Sequence, residues 1–212
     1  MLKLVIGNKS SSSWSMRAWL ALRANDIPFT EVFTPLSSRK ADKDRILSFS
    51  GSGKVPVLID GDVTVWDSLA IIEYLAEGFP DSRLWPADRA GHAHARAISA
   101  EIHSGFTHLR RECDMDLHRP VRAAALSDGA LADVARIQEI WADCHMRYGK
   151  RGPFLFGTFS GADAMYAPVV HRFRSYAIPV NAEAQPYVDA MMSLPAFQQW
   201  TREGLAEVPA IG

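Results

Sequence analysis

Apolar and polar positions divide the chain into two regions with different periodicity. From residue 1 to about 78, short β-type runs alternate with segments of helical pattern, in the order β-α-β-α-β-β-α. The pattern predicts strands at 2–6, 29–33, 55–59 and 63–66, and helices at 14–25, 39–48 and 67–78. This order suits a thioredoxin-like α/β domain with a mixed four-stranded sheet.

The rest of the chain has a helical pattern, after a proline-bearing segment typical of a linker. Apolar spacing predicts helices at 89–112, 128–148, 161–174, 184–193 and 195–204. The helix at 128–148 has the clearest end signals, since Ser127 suits its N-cap and Gly149 its C′ position. The predicted organisation is therefore an α/β domain, a linker and an all-α helical bundle, at residues 1–78, 79–88 and 89–212.

The segment Gly53-Lys54-Val55-Pro56 carries the most informative local signal. Pro56 lies near the start of a predicted buried strand, where it removes a ladder donor, so this strand either lies at an edge or is entered through a turn. A cis Val55–Pro56 bond would fit such a turn. In either case the backbone of Val55 lacks a complete set of sheet partners, and we expect it to be able to pair with a peptide-like ligand.

Asp67 and Ser68 open the helix that follows this strand pair. Free N–H groups and the positive end of the helix dipole at this position favour a ligand carboxylate. Together with the exposed backbone of Val55, this helix start predicts a site for a peptide with a carboxylate. The alternative interpretation is that Asp67 and Ser68 only cap the helix and Pro56 only ends a strand.

Four consecutive serines, Ser10, Ser11, Ser12 and Ser13, form the turn between the first strand and the first helix. Serine is a favoured N-cap residue, so we expect at least one of the four to cap this helix. A hydroxyl at this place can also donate to a ligand thiolate, which the helix N-terminus favours as well.

These segments resemble a cytosolic glutathione transferase of the serine type over the full length of the chain. The turn from Ser10 to Arg17 resembles the Ser-rich turn of zeta-class enzymes, and Asn25-Asp26-Ile27-Pro28-Phe29 resembles the loop of theta-class enzymes. The segments Gly53–Pro56 and Asp67–Leu75 resemble the glutathione-binding half of the family. Ser160-Gly161-Ala162-Asp163 is similar to a capping box in the family's carboxy-terminal domain.

The resemblance implies that a serine hydroxyl stabilises the glutathione thiolate for attack on a small electrophile. Alignment on Arg17 and the Ile27-Pro28 loop indicates Ser12, whereas alignment on the serine–tryptophan string indicates Ser10. Ser11 and Ser13 remain further candidates. The absence of a cysteine in this turn argues against disulfide exchange, which needs a protein thiol.

Further glutathione contacts follow from the same resemblance. The backbone at Val55 and Pro56 would pair with the cysteinyl residue of glutathione. The glycyl carboxylate would contact Lys40 and Lys54, and the γ-glutamyl end would contact Asp67 and Ser68. Ser50-Gly51 stands where the family usually has Asn-Pro, so we expect a more mobile loop and weaker glutathione binding.

The second substrate is expected between the two predicted domains, with His103, Arg110, Tyr166 and Arg172 as polar candidates. Arg172 could attract an acidic electrophile, although arginines near helix ends more often pair with carboxylates or face solvent. Two alternatives compete with a conjugating enzyme: a zeta-like maleylacetoacetate isomerase, and a non-catalytic glutathione-binding or interaction module. The serine in place of the zeta-class cysteine and the lack of a basic pocket motif argue against the isomerase.

Composition narrows the possible partners. Of 212 residues, 22% are charged and the net charge is −1, which gives no electrostatic reason to expect nucleic acid or a membrane surface. No run approaches the roughly 18 apolar residues of a membrane helix. Two cysteines do not make a disulfide framework, and no histidine spacing indicates a metal site. We therefore expect a cytoplasmic protein without a metal, and the resemblance implies an enzyme that is a homodimer.

Overall fold

The computed structural model describes residues 1–208, and within them four strands form one mixed sheet. The sheet order is β2-β1-β3-β4, with β1 at Leu2–Ile6, β2 at Phe29–Phe33, β3 at Val57–Asp60 and β4 at Val63–Trp66. β1 pairs in parallel with β2, and β3 pairs antiparallel with both β1 and β4. The predicted mixed sheet is confirmed, although β3 begins two residues later than expected, because Val55 and Pro56 precede the ladder.

The helices of this region pack on the sheet, and those of the second region form a bundle. The first three are α1 Ser13–Arg23, α2 Lys40–Phe49 and α3 Ser68–Gly78. The bundle contains α4 Arg89–Ser104, α5 Thr107–Glu112, α6 Asp128–Tyr148, α7 Gly161–Ser175, α8 Gln185–Ser193 and α9 Pro195–Leu205. No helix among residues 1–208 has the length and apolar character needed to cross a bilayer.

Two details of the predicted helices are wrong. The single helix expected at 89–112 is interrupted at Gly105 and Phe106, where Phe106 adopts a positive φ of 56° and its side chain enters the core. Gly149 has an ordinary right-handed conformation and continues into a 3₁₀ turn. The positive φ instead occurs at Gly152, where an added Cβ would lie 2.3 Å from the Gly157 carbonyl oxygen.

Helix α1 is buried on all sides. Every residue from Ser15 to Leu22 is buried, because the helix lies between α3 and the bundle helices α7 and α9. The apolar side chains of both regions join in one core cluster around it, which includes Trp19 and Trp200 at a centroid distance of 5.3 Å. The position of α1 therefore fixes where its amino-terminal turn lies relative to both regions.

A buried lysine ties α9 to this core. The Lys9 ammonium pairs with Glu31 on β2 at 2.7 Å and with Glu203 on α9, and its side chain is only 8% exposed. It also lies 5.0 Å from the ring centroid of Trp19 and 5.6 Å from that of Trp200. Two carboxylates and two indole faces compensate for the burial of this charge, so α9 is held against the amino-terminal region.

The burial of the His171 ring makes the stability of the protein depend on pH. Its ring stacks on Phe197 at 4.3 Å, Nε2 lies 3.1 Å from Thr201 Oγ1, and burial, with the charges of Arg174 and Arg172, lowers its pKa to about 3. An unfolded histidine titrates near ~6.5, so its contribution is complete above that pH and is lost as the pH falls toward 3.

A His171→Gln variant should therefore lose less stability than the wild type on acidification. Urea unfolding at neutral pH and at a pH between 3 and 6.5 measures the difference for both proteins. We expect the variant to be less stable at neutral pH, because it loses the ring stack, but to show the smaller drop. An equal drop in both proteins would contradict this assignment.

Candidate functional site

The serine turn, the Val55–Pro56 segment and the start of α3 line one cleft of about 670 Å³. The predicted site residues that this cleft brings together are Ser11, Ser12, Ser13, Lys54, Val55, Pro56, Asp67 and Ser68. The Val55–Pro56 bond is cis, and β3 begins only at Val57. The backbone of Val55 thus lies at the cleft wall outside the strand ladder.

Asp67 and Ser68 differ in the hydrogen bonds that their side chains make. Asp67 caps α3, since its Oδ1 accepts hydrogen bonds from the N–H groups of Leu69 at 2.9 Å and Ala70 at 3.4 Å. Its Oδ2 lies 3.3 Å from His103 Nε2. The Ser68 hydroxyl is buried and has no hydrogen-bond partner within residues 1–208. Asp67 therefore caps α3, as the capping interpretation expected, whereas the Ser68 hydroxyl takes no part in a hydrogen bond among the described residues.

Among the four serines of the turn, Ser10 is held by Glu207, which follows α9. Its N–H and hydroxyl both donate to Glu207 Oε2, at 3.1 and 2.7 Å, and its carbonyl accepts from the Leu117 N–H at 2.9 Å. Ser10 does not line the cleft. A side chain at Gly204 of α9 would disturb this contact, because its Cβ would lie 3.1 Å from the Ser10 nitrogen.

The other three serines face the cleft in different states. Ser12 is the N-cap of α1 and is 5% exposed; its Oγ accepts from the Ser15 N–H at 3.3 Å and donates to Ser15 Oγ at 2.8 Å. Ser13 Oγ accepts a long hydrogen bond of 3.4 Å from Arg172 Nη2. Ser11 is exposed. Of these three serines, only Ser12 lines the cleft and also caps α1 with its hydroxyl.

A second cavity of about 490 Å³ adjoins the first and shares Ser11, Ser13 and Trp14 with it. Three arginines from three helices line this cavity: Arg17 of α1, Arg110 of α5 and Arg172 of α7. Its remaining lining comes from the segment after α5, namely Asp114, Met115 and Asp116. Positive charge thus exceeds negative charge among the lining side chains, and the serine turn forms the wall between the two cavities.

Arg17 is a buried charge for which residues 1–208 provide no ion-pair partner. Its side chain is 2% exposed, and neither Nε nor Nη1 has a hydrogen-bond partner within residues 1–208. The guanidinium lies 4.3 Å from the ring centroid of Trp14. Burial, and then the charges of Arg110 and Arg172, lower the pKa of Arg17 well below its usual value. An anion in the cavity would reduce this cost, because a buried unpaired charge is expensive.

The other two arginines bind backbone carbonyls and leave their charges available. Arg172 Nε donates to the Cys113 carbonyl at 2.8 Å, and Arg110 Nη2 donates to the carbonyls of Ile102 and His103. Burial, and then Arg110, lower the pKa of Arg172 to about 10. Neither forms an ion pair with a carboxylate among the described residues. Arg110 and Arg172, two of the predicted polar candidates, line this cavity together with Arg17, which sequence reasoning missed.

Besides Ser10, three of the predicted residues lie outside both cavities. Tyr166 belongs to the core, since it is fully buried and its hydroxyl donates to the Ile98 carbonyl at 3.2 Å. The Lys40 ammonium is 87% exposed and pairs with Asp44 at 2.6 Å, away from the cleft lining. His103 contacts Asp67 and packs edge-on against Trp14 at 5.3 Å, outside the lining of the arginine cavity.

A signal for Arg17 was present in the sequence. It is a charged residue in the otherwise apolar run from Met16 to Leu22, and charged residues are almost never fully buried unless they are paired. Within residues 1–208, no group of three or more His, Cys, Asp or Glu side chains is arranged to hold a metal ion.

Comparison with known proteins agrees with this architecture. The model of the glutathione S-transferase N-terminal domain matches residues 11–77, and that of the C-terminal domain matches 92–203. A probable maleylacetoacetate isomerase of Caenorhabditis elegans is 43% identical over 102 residues, which is 48% of this chain and 46% of that protein. Glutathione S-transferase Z2 of Arabidopsis thaliana is 27% identical over 99% of this chain and 94% of that protein.

Solved structures with the same fold cover nearly the whole chain. A glutathione transferase homolog from Burkholderia with bound glutathione is 23% identical, with a TM-score of 0.71 over 97% of this chain and 99% of that one. A maleyl pyruvate isomerase, described as a bacterial glutathione S-transferase of the zeta class, is 24% identical, with a TM-score of 0.71 over 93% and 95%. From its two domain matches and its fold, this chain belongs to the glutathione S-transferase family.

Proposed function

We propose that this protein is a glutathione transferase that holds the glutathione thiolate beside Ser12 and delivers it to an acidic electrophile in the arginine cavity. The observation that carries the proposal is the common wall of the two cavities. Ser11, Ser13 and Trp14 line both, so a sulfur at the serine turn would lie next to anything bound by the arginines. No metal is needed for this chemistry.

Glutathione would fill the 670 Å³ cleft through main-chain and carboxylate contacts. Val55 can offer its backbone groups to the cysteinyl residue. Ser68 can offer its N–H and its hydroxyl, which has no partner within residues 1–208, to the γ-glutamyl carboxylate at the start of α3. Lys54 is exposed at the cleft and can reach the glycyl carboxylate. The Burkholderia homolog of the same fold has glutathione bound, which supports this choice of ligand.

The chemical task is to raise the thiolate fraction. A free thiol has a pKa near ~8.5, so about 3% is ionised at pH 7. Lowering the pKa by ~2 units would ionise roughly three quarters of it, which corresponds to about 2.7 kcal/mol of differential stabilisation. A hydrogen bond to a charged group contributes ~1.5–3 kcal/mol, and the amino terminus of α1 adds positive potential. A single hydroxyl at this helix end can therefore supply most of the effect.

Ser12 is the serine best suited to this role. Ser10 donates its proton to Glu207 and lies outside the cleft lining. The exposed hydroxyl of Ser11 would have to give up water. The Ser13 hydroxyl accepts from Arg172, which leaves its proton free, so Ser13 is the main competitor. Ser12 alone combines burial, a cleft position and the N-cap of α1.

An acidic group on the second substrate is supported by the three guanidinium groups. Arg17 has two unpartnered nitrogens, and Arg110 and Arg172 have no carboxylate partners among the described residues. Planar guanidinium groups bind carboxylates through paired hydrogen bonds. Asp114 and Asp116 at the cavity edge would oppose a ligand with negative charge throughout. An electrophile with a carboxylate at one end and an uncharged reactive carbon fits this distribution best.

A zeta-like cis–trans isomerase is the second candidate. The arginine cavity supports it, because three separate helices assemble a basic lining that no motif in the sequence indicates. The isomerase-named relatives from Caenorhabditis elegans and Rattus norvegicus point in the same direction. In this reaction the thiolate would add to an acidic dienone and leave again after rotation. We also expect a homodimer in the cytoplasm, as the family resemblance implies.

The first test is replacement of each serine of the turn. Ser12→Ala should raise the pKa of the bound glutathione thiol by about 1 to 2 units, because it removes a charge-assisted hydrogen bond. The ultraviolet absorbance of the thiolate, titrated in the protein–glutathione complex, measures this pKa directly. Ser10→Ala serves as the matched control with little expected shift. A larger shift in Ser11→Ala or Ser13→Ala would transfer the role to that serine.

The second test compares an acidic electrophile with its uncharged analogue. Wild-type protein should act on maleylacetone with a kcat/KM about 10- to 100-fold above that for its methyl ester, as expected for one or two charge-assisted hydrogen bonds. Arg172→Met should remove most of this preference. Analysis of the products decides between the two candidate reactions, since isomerisation regenerates free glutathione and conjugation consumes it. Equal rates for acid and ester would contradict an acid-binding cavity.

The third test measures the cost of the unpaired Arg17. Without ligand, Arg17→Met should raise the free energy of unfolding by about 1–4 kcal/mol, because a well-packed apolar side chain replaces a buried charge. The variant should also lose the increase in melting temperature that maleate produces in the wild type. Arg136→Met, which removes a surface pair with Glu101, is the control and should change stability by no more than about 1 kcal/mol. A destabilised Arg17→Met protein with unchanged maleate response would refute this account.

A further inference from the structure

A chain of polar groups leads from the end of β1 through the core to the cleft. The Gly7 N–H donates to Ser15 Oγ at 3.1 Å, and Ser15 Oγ lies 2.8 Å from Ser12 Oγ. Ser15 has no exposed surface, whereas Ser12 lines the cleft. The two hydroxyls therefore form a buried pair with one end at the position proposed for the sulfur.

The direction of the hydroxyl pair decides where the Ser12 proton points. With Ser12 donating, Ser15 Oγ receives two hydrogen bonds, and its own proton has no acceptor in the part of the chain that the structure describes. With the direction reversed, Ser12 Oγ accepts from both the N–H and the hydroxyl of Ser15. Both acceptor sites of Ser12 are then occupied, and its single proton has to point out of the pair. A thiolate in the cleft is the acceptor that this reversed arrangement needs.

We propose that Ser15 is a positioning residue that turns the Ser12 hydroxyl toward the glutathione sulfur. This inference rests on the proposed function and adds to it a residue that does not touch the ligand. When the thiolate forms, all the hydrogen bonds run in the same direction: the Gly7 N–H donates to Ser15, Ser15 donates to Ser12, and Ser12 donates to the sulfur. Each bond then strengthens the next, by an amount on the order of 10–30%. The thiol proton leaves to solvent, and no proton passes along the serines.

The competing role for Ser15 predicts the opposite effect. If Ser15 only accepts the Ser12 proton, it withholds that proton from the sulfur, and its removal should lower the pKa of the bound thiol. If Ser15 positions Ser12, its removal should raise this pKa. A purely structural role, as the acceptor for the Gly7 N–H, should change the melting temperature and leave the thiol pKa where it is. The sign of the shift therefore separates the three roles.

The experiment is a thiolate titration of the glutathione complex in matched variants. We expect Ser15→Ala to raise the thiol pKa by about 0.1 to 0.6 unit, which is the 10–30% share of the Ser12 hydrogen bond that alignment provides. Ser15→Thr, which keeps the hydroxyl, should restore most of the wild-type value. In a Ser12→Ala background, Ser15→Ala should add no further shift. All variants retain the charged side chains that line the cleft and the arginine cavity, so the influence of these charges on the sulfur is shared. They are Lys54, Asp67, Arg17, Arg110, Asp114, Asp116 and Arg172.

Ser99→Ala is the control for removal of a buried hydroxyl. Ser99 lies in α4, is fully buried, and has no hydrogen-bond partner for its hydroxyl within residues 1–208. We expect this variant to leave the thiol pKa unchanged, although its stability can change. A shift in Ser99→Ala equal to that in Ser15→Ala would overturn the proposal, because it would show a general effect of core packing.

The remaining outcomes separate this inference from the proposed function. A thiol pKa that is unchanged or lowered in Ser15→Ala, with a clear increase in Ser12→Ala, overturns the role of Ser15 alone. An unchanged pKa in Ser12→Ala overturns the choice of Ser12 and the role of Ser15 with it. If Ser15→Ala does not fold, Ser15→Cys replaces it, since a thiol is a weak donor and acceptor. A raised thiol pKa in that variant supports the proposal, and an unchanged one overturns it.

Discussion

The burial of α1 is the constraint on which the rest of this structure depends. A helix enclosed by the sheet region on one side and by α7 and α9 on the other cannot rotate or slide without opening the core. Its amino-terminal turn is therefore held in a defined position at the junction of the two regions. The cleft and the arginine cavity meet at this turn because both are bounded by the same helix end.

The same burial brings Arg17 into the interior. A charged side chain on a fully enclosed helix loses its hydration, and here neither a carboxylate nor a complete set of hydrogen bonds within residues 1–208 replaces it. The apolar packing of α1 outweighs this cost. Sites that bind ligands are often less stable than packing alone would allow, because they keep polar groups unpaired until the ligand arrives. Arg17 fits this description better than any other side chain among the described residues.

Contacts remote in sequence give the four serines of the turn different roles. Glu207, near the end of the described chain, takes the Ser10 hydroxyl, while Arg172 of α7 donates to Ser13. Lys9 and Glu203 hold α9 in the position from which Glu207 reaches the turn. Residues that look equivalent in the sequence are thus separated into structural and candidate functional ones by the helices that pack on them.

The sequence by itself determined the elements and the main motifs. Strands β1, β2 and β4 and helix α6 have the predicted bounds, and Val55–Pro56 and Asp67-Ser68 line one cleft as expected. These features depend on apolar periodicity, capping and proline chemistry, which act over a few neighbouring residues. Only the tertiary structure decided that Ser10 is occupied, that Tyr166 belongs to the core and that Arg17 faces a cavity. Those outcomes depend on the packing of segments far apart in the chain, and local sequence patterns contain no information about that packing.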